Sequence, residues 1–279
     1  MNASLIPSLC SHNYRTIFIS DLHLGTRGCR SDFLADFLRR TSCERMFLVG
    51  DIVDGWRLRK SWFWDANHDE VLRLILAKAR RGTDITYIPG NHDEMLRAWL
   101  PAHPGERELE VAGVKLRREA SHTTADGRRL LILHGDAFDS VVRYARTLAL
   151  LGDGAYTVAL VANRYFNAVR RRLGHPYWSL SAWLKSKVKE ATKAIDRFEV
   201  AVAGEARRRG FDGVVCGHIH QAEMREIDGV LYINDGDWVE SCTALVEHHD
   251  GRLELLDWAA LNRLSFFEPR RLPEAADAA

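Results

Sequence analysis

The 279-residue chain holds five cysteines, an odd number, and no two of them form a C-x-x-C pair. This excludes a disulfide framework and a zinc knuckle and predicts a reducing, cytoplasmic setting. Charge of one sign is not in excess either: 39 Lys and Arg face 38 Asp and Glu, a net of +1. A general nucleic-acid coat or a polyacidic tail needs a lopsided count, so nucleic acid is disfavoured as a partner. There is no membrane-spanning run. The most apolar stretch, Leu148 to Ala162, is broken by Gly-Asp-Gly and falls short of the roughly 20 apolar residues that cross a bilayer. The opening MNASLIPSLCSH has no basic start and no sustained apolar segment, so it does not read as a secretory signal. What is abundant is ordinary core material, 46% apolar residues with 28% charged ones, as in soluble globular chains. Twelve histidines stand outside the charge sum.

In the first half, short apolar runs alternate with amphipathic stretches. Thr16–Ser20, Met46–Val49 and Ile85–Ile88 read as buried strands. A helix capped by Asp32, with Phe33, Leu34, Phe37 and Leu38 on one face, separates the first two, and a helical pattern from Asn67 to Arg80 precedes the third. That order implies a largely parallel sheet. A hairpin is expected near Val111–Arg118 and a strand over Arg129–Leu133. From Phe138 to Gly204 the pattern is helical only, with 11 Lys and Arg against 5 Asp and Glu and with interleaved aromatics. Beyond it, Gly213–Cys216 reads as a strand, and the runs at Ala222–Ile227, Val230–Ile233, Cys242–Glu247 and Leu253–Asp257 read as an antiparallel meander. The expectation is one domain over residues 1–279, with residues 138–204 inserted as a basic helical cap.

One event recurs five times: an apolar run stops and a carboxylate, imidazole or Asn follows at once. The five are Asp21-Leu22-His23, Gly50-Asp51, Gly90-Asn91-His92-Asp93, His134-Gly135-Asp136 and Gly217-His218-Ile219-His220. Strands of one sheet bring such termini to one crevice, and residues two apart on extended backbone point the same way. A mixed set of Asp, His and Asn suits Mn²⁺, Fe²⁺ or Zn²⁺, whereas carboxylates alone suit Mg²⁺ or Ca²⁺.

These blocks, SDLHLG, GDIVDGW, GNHDE, HGD and GHIH in that order, resemble the calcineurin-like metallophosphoesterases over roughly residues 14 to 247. The resemblance implies a four-layer α/β/β/α sandwich and two divalent metal ions, with Mn²⁺ expected first. It assigns Asp21, His23, Asp51 and His220 to one metal and Asp51, Asn91, His134 and His218 to the other, with Asp51 bridging. His92, oriented by Asp93, is implied to contact the scissile phosphate or protonate its leaving group. Two divalent ions about 3.5–4 Å apart form a clamp for in-line displacement at phosphorus, and a carboxylate partner brings an imidazole toward working pH. Asp54, Asp136 and Asp237 read as supporting or turn carboxylates.

SDLHLG, Trp56 after GDIVDG, the basic helical insertion and the closing Asn234-Asp235-Gly236-Asp237-Trp238 look most like one branch of that family, the UDP-2,3-diacylglucosamine diphosphatases of lipid A biosynthesis and their siblings. The branch implies a lipid-linked nucleotide-sugar substrate, cleaved at its pyrophosphate by an enzyme lying peripherally on the inner face of the membrane. Trp56, Arg170 and Arg171 are its candidate substrate contacts, and the cap is expected to meet anionic lipid. Trp62 and Trp64 are expected to pack in a core or under the cap. One departure stands out: the branch carries Arg where this chain has His92. A phosphomonoesterase or phosphodiesterase on another substrate is the alternative, and a non-catalytic membrane or partner-binding scaffold is a weaker one.

Overall fold

The computed structural model describes residues 12–100, 109–141, 172–173 and 180–265. Arg170, Arg171 and most of the expected cap lie outside the described residues.

Two sheets form the centre. In the first, the parallel strands β1 (His12–Ile19), β2 (Thr41–Val49) and β3 (Asp84–Ile88) are flanked by β4 (Leu109–Val111) and β5 (Val114–Leu116) on one side and by β11 (Thr243–Glu247) and β12 (Leu253–Asp257) on the other. The order is β12-β11-β1-β2-β3-β5-β4. The second sheet runs β6 (Ala120–Thr123), β7 (Arg129–Ile132), β8 (Gly213–Cys216), β10 (Val230–Asn234) and β9 (Glu223–Ile227). The sheets face each other through Phe18, Phe47, Val49, Ile88 and Leu245 from the first and Leu130, Ile132, Val215 and Ile233 from the second, all buried. On β2 Phe47 and Val49 are alternate residues, as a half-buried face requires.

The outer face of the first sheet is covered by α1 (Ser31–Arg40), α3 (Ala66–Arg80) and α5 (Trp258–Ser265). Leu34, Phe37 and Leu38 of α1 bury one stripe against this face, and Trp238 and Trp258 pack their rings 5.2 and 5.1 Å from Phe37. Each such aromatic removes enough apolar surface from water to contribute roughly 1.5–3 kcal/mol. A short helix, α2 (Gly55–Lys60), follows β2, and α4 (Leu180–Arg208) covers the second sheet with Phe198, Val202, Ala203 and Ala206. The layers are helices, sheet, sheet, helix, so the expected sandwich is present.

Four expectations change. The meander after Gly213 does not exist as one unit: β9 and β10 pair antiparallel in the second sheet, while β11 and β12 pair antiparallel in the first. Alternating polarity shows that each run has one buried face but not which sheet buries it. Asp32 is not a cap, because Arg30 precedes α1 without a side-chain cap bond and Asp32 lies in the first turn, where its charge suits the helix dipole. The boundary drawn at Gly204 falls inside α4, whose second half belongs to the sandwich. Trp62 is 75% exposed, while Trp64 packs on the outer cluster.

Candidate metal centre

Beyond the sheet, the loops after β1 and β2 stay side by side. Asp21 N donates to Gly50 O at 3.0 Å, His23 N to Asp51 O at 2.9 Å and Leu24 N to Ile52 O at 3.0 Å. The second sheet brings His134 from the end of β7 and His218 and His220 from the end of β8. Asp21 Oδ2 accepts from His218 N at 2.8 Å, and Asp51 Oδ1 accepts from His92 N at 2.8 Å, so one carboxylate ties the loop after β1 to that after β8 and the other ties the loop after β2 to that after β3. A Cβ on Gly90 would collide with Asp51 Oδ1, and one on Gly217 with Asp21 Oδ2. Glycine at these two positions is what lets the loops approach.

Asp21, His23, Asp51, His218 and His220 have φ between 50° and 71°. Left-handed backbone costs on the order of 1–3 kcal/mol at each such residue and persists where the surroundings over-determine it, as at functional sites. The side chains fall into two groups. His220 Nε2 lies 2.7 Å from Asp21 Oδ1 and 3.2 Å from His23 Nε2. His134 Nε2 lies 3.4 Å from Asp51 Oδ1 and 3.3 Å from Asn91 Oδ1, with the His218 ring 5.1 Å from that of His134. The donor atoms of Asp21, His23 and His220 converge within 4.8 Å of one another, as do those of Asp51, His134 and His218. Asp51 also reaches the first group, with Oδ2 3.9 Å from His23 Nε2. All seven expected ligands therefore meet in one place.

The donor set fits divalent ions on two counts. Asp51 Oδ2 and His218 Nδ1 are buried with no hydrogen-bond partner, which is costly unless another group occupies them. His134 Nδ1 lies 2.8 Å from Val49 O. Its N–H donates there, and this fixes the tautomer that leaves the Nε2 lone pair for a metal.

Electrostatics follow from the crowding. Burial opposes charge, yet the His220 and His23 side chains hold Asp21 well below the usual carboxylate range. In the same way His134 brings Asp51 to about 2. Burial likewise works against His23 and His134, but Asp21 and Asp54 raise the former to about 9 and Asp51 raises the latter to about 10.

His92 sits at the rim with Nε2 3.9 Å from Asp51 Oδ2. Asp93, expected to orient it, faces elsewhere: its carboxylate accepts from Ile52 N at 2.8 Å, Gly90 N at 2.5 Å and the Tyr87 hydroxyl at 2.5 Å. Asp93 is a clamp between the loops after β2 and β3. The carboxylate beside His92 is Asp54, with Oδ2 2.9 Å from Nδ1, off the line of a hydrogen bond, and 3.3 Å from His23 Nδ1. Asp54 also caps α2 by accepting from Arg57 N at 2.8 Å. Although it is buried, His23 and His92 hold its carboxyl well below the usual range. Its signal in the sequence was the second Asp of GDIVD.

Trp56 lays its indole on the His92 ring, centroids 4.5 Å apart at 35°, with 41% of its surface exposed. Three further supports lie outside the five motif ligand sets. Asp139 contacts His218 Nε2. Arg97 grips Asp136 with two bonds of 2.7 and 2.8 Å and donates to Pro89 O, joining the GNHD and HGD loops. Ser20 Oγ lies 2.8 Å from Asp21 Oδ2 and 2.6 Å from Asp235 Oδ1. Ser20 has a single hydrogen for two carboxyl groups, and burial pushes Asp235 well above the usual carboxylate range.

A sequence model of the calcineurin-like phosphoesterases matches residues 14–222. The chain is 24% identical over 249 residues to the UDP-2,3-diacylglucosamine hydrolase of Xanthomonas campestris, covering 85% of this chain and 96% of the relative. It is 26% identical over 266 residues to the Salmonella agona protein of the same name, covering 85% and 93%. Among solved structures it resembles an archaeal phosphodiesterase at 16% identity and a TM-score of 0.40, covering 86% of this chain and 98% of the other.

Proposed function

The chain belongs to the calcineurin-like phosphoesterase family and is a metal-dependent hydrolase, and from that premise we propose that it cleaves the pyrophosphate of UDP-2,3-diacylglucosamine or a similar lipid-linked nucleotide sugar. The observation that carries the chemistry is Asp51 set between two converging donor groups beneath His92. The substrate class rests on the relatives, which align over nearly their whole length.

Asp21, His23, Asp51 and His220 would hold one ion, and Asp51, Asn91, His134 and His218 the other, with Mn²⁺ the ion proposed. When bound, the pair supplies Lewis acidity toward the phosphoryl oxygens and a water nucleophile near neutral pH. The protein's own part lies at the rim. His92 turns Nδ1 to Asp54, so Nε2 is the nitrogen presented to substrate, where it donates to a phosphoryl or leaving oxygen. Trp56 keeps the ring from rotating away and leaves its outer face open toward the rest of the substrate. The basic segment of residues 138–204, including Arg170 and Arg171, is assigned to the acyl-bearing part and to anionic lipid on the inner membrane face, where each surface cation contributes about 1 kcal/mol. No helix among the described residues is long and apolar enough to cross a membrane.

His92 favours a second reading. Arg offers a permanent fork to a pyrophosphate and His a single titratable donor, and a single donor suits a phosphomonoester or diester. Incubation with UDP-2,3-diacylglucosamine and Mn²⁺ is expected to release UMP. Release of p-nitrophenol from its mono- or bis-phosphate without any UMP would establish the second reading instead.

A further inference from the structure

At the opposite end of the parallel strands the two sheets part. The apolar interlayer stops at Phe18, Phe47 and Ile88, and beyond it lies a cavity of about 500 Å³, within the range of small-molecule sites. β1, β2, β3 and β5 line it from one sheet and β6 from the other. Arg45 follows the alternation of β2 onto the face that carries Phe47 and Val49. Arg15, Lys115 and Arg117 converge on the same space, with His122 on the opposite wall. Among the described lining residues Asp84 is the only carboxylate, and it is taken by Lys115 at 2.8 Å.

Behind this lining, Glu247 neutralises part of the charge. Its carboxylate lies 2.5 Å from Arg15 Nη1 and 2.6 Å from His122 Nε2. That holds the His122 ring with Nδ1 toward Arg45, and a 3.5 Å contact to this nitrogen is the guanidinium's only hydrogen-bond contact among the described residues. Cations gathered on one concave surface repel one another and focus a positive potential that an anion relieves. Guanidinium forks match phosphate oxygens two at a time, and cations contributed by β1, β2 and β5 and by the residue just after β5 span more than one phosphate group.

We propose that this cavity is a second ligand site, separate from the metal centre, for a small molecule carrying two or more phosphate groups. The test is calorimetric titration of inorganic pyrophosphate into the full chain, into Arg45→Glu, and into each of these with Asp51→Asn added to remove phosphate binding at the metal centre. One binding step is expected to survive Asp51→Asn and to weaken about tenfold or more with Arg45→Glu, the loss of one charged phosphate contact. Hydrolysis by Arg45→Glu should remain at the parent level. Sulfate should bind at least about tenfold more weakly than pyrophosphate, because it engages fewer of the cations. Equal affinity with and without Arg45→Glu overturns the proposal, as does loss of the step with Asp51→Asn or equal binding of sulfate. Thermal melts identify a misfolded Arg45→Glu, and Lys115→Gln then takes its place with the same expected weakening.

Discussion

Two buried polar clusters occupy opposite ends of the same strands, and they are built on opposite terms. At the end away from the metal centre, Glu247 has all its needs met: Oε1 accepts from Arg15 and from Ala125 N at 2.7 Å, and Oε2 from the Thr16 hydroxyl at 2.7 Å, with His122 2.6 Å away. At the other end Asp51 Oδ2 and His218 Nδ1 have no hydrogen-bond partner, and five residues hold left-handed backbone. A buried carboxylate with every lone pair satisfied stabilises the fold by itself. One left open among inward-facing imidazoles gains its partner only when a cation arrives. The contrast separates structural polar burial from functional polar burial without reference to any relative.

The largest expected effect comes from removing the open carboxylate. Asp51→Ala should eliminate metal retention, measured by elemental analysis after dialysis, and lower hydrolysis about 10³-fold or more, since several kcal/mol of transition-state stabilisation depend on the ions. Retention of both metals by this variant would sink the two-group reading. His92→Ala should keep the metals and lose about 10²- to 10⁴-fold in kcat, the usual contribution of a positioned proton donor. A fall in metal content instead would move His92 among the ligands.

Asp54→Asn is expected to cost about 10- to 100-fold, as for other groups that orient a ligand or a donor, because it loosens His23 and His92 together. Asp93→Asn distinguishes the two carboxylates. Its partners are Ile52 N, Gly90 N and the Tyr87 hydroxyl, so it should lower the melting temperature more than Asp54→Asn does. If Asp93→Asn altered the pH profile of kcat with no change in melting temperature, His92 would depend on Asp93 after all.

Most of the sandwich and the convergence of all seven donor residues were legible in the sequence, for one physical reason. Buried parallel strands are apolar runs with abrupt ends, and the residues just past those ends share a crevice. Pairings across distant segments were not legible. Asp93 follows His92 in the chain, yet the tight turn after Gly90 sends its carboxylate back to Ile52, while Asp54, 38 positions earlier, arrives beside the ring because the loops after β1 and β2 zip together. The assignment of β9 and β10 to one sheet and of β11 and β12 to the other was equally hidden, since alternation reports burial but not the partner. Asp235 gave no signal either, because its pairing with Ser20 depends on its depth in the fold.

The smallest effect on activity and the clearest on stability should come from the satisfied end. Glu247 is fully buried. Burial alone would raise its pKa, but hydrogen bonds from His122 and Thr16 bring it from 4.5 down to about 2. A carboxylate whose folded value is depressed contributes stability that is present in full above its unfolded value and is lost as pH falls toward the folded one. Glu247→Gln should therefore leave kcat near the parent level and lower stability at pH 7 by on the order of 3 kcal/mol. The gap between variant and parent should narrow as pH drops from about 4.5 to about 2. Melting curves of the two proteins across that window measure it, and subtracting one from the other removes the carboxylates they share. A gap that stays constant down to pH 2 would mean that Glu247 acts through shape and hydrogen bonding rather than through its charge. A kcat reduced as far as in Asp54→Asn would mean that the two ends of the strands are not independent.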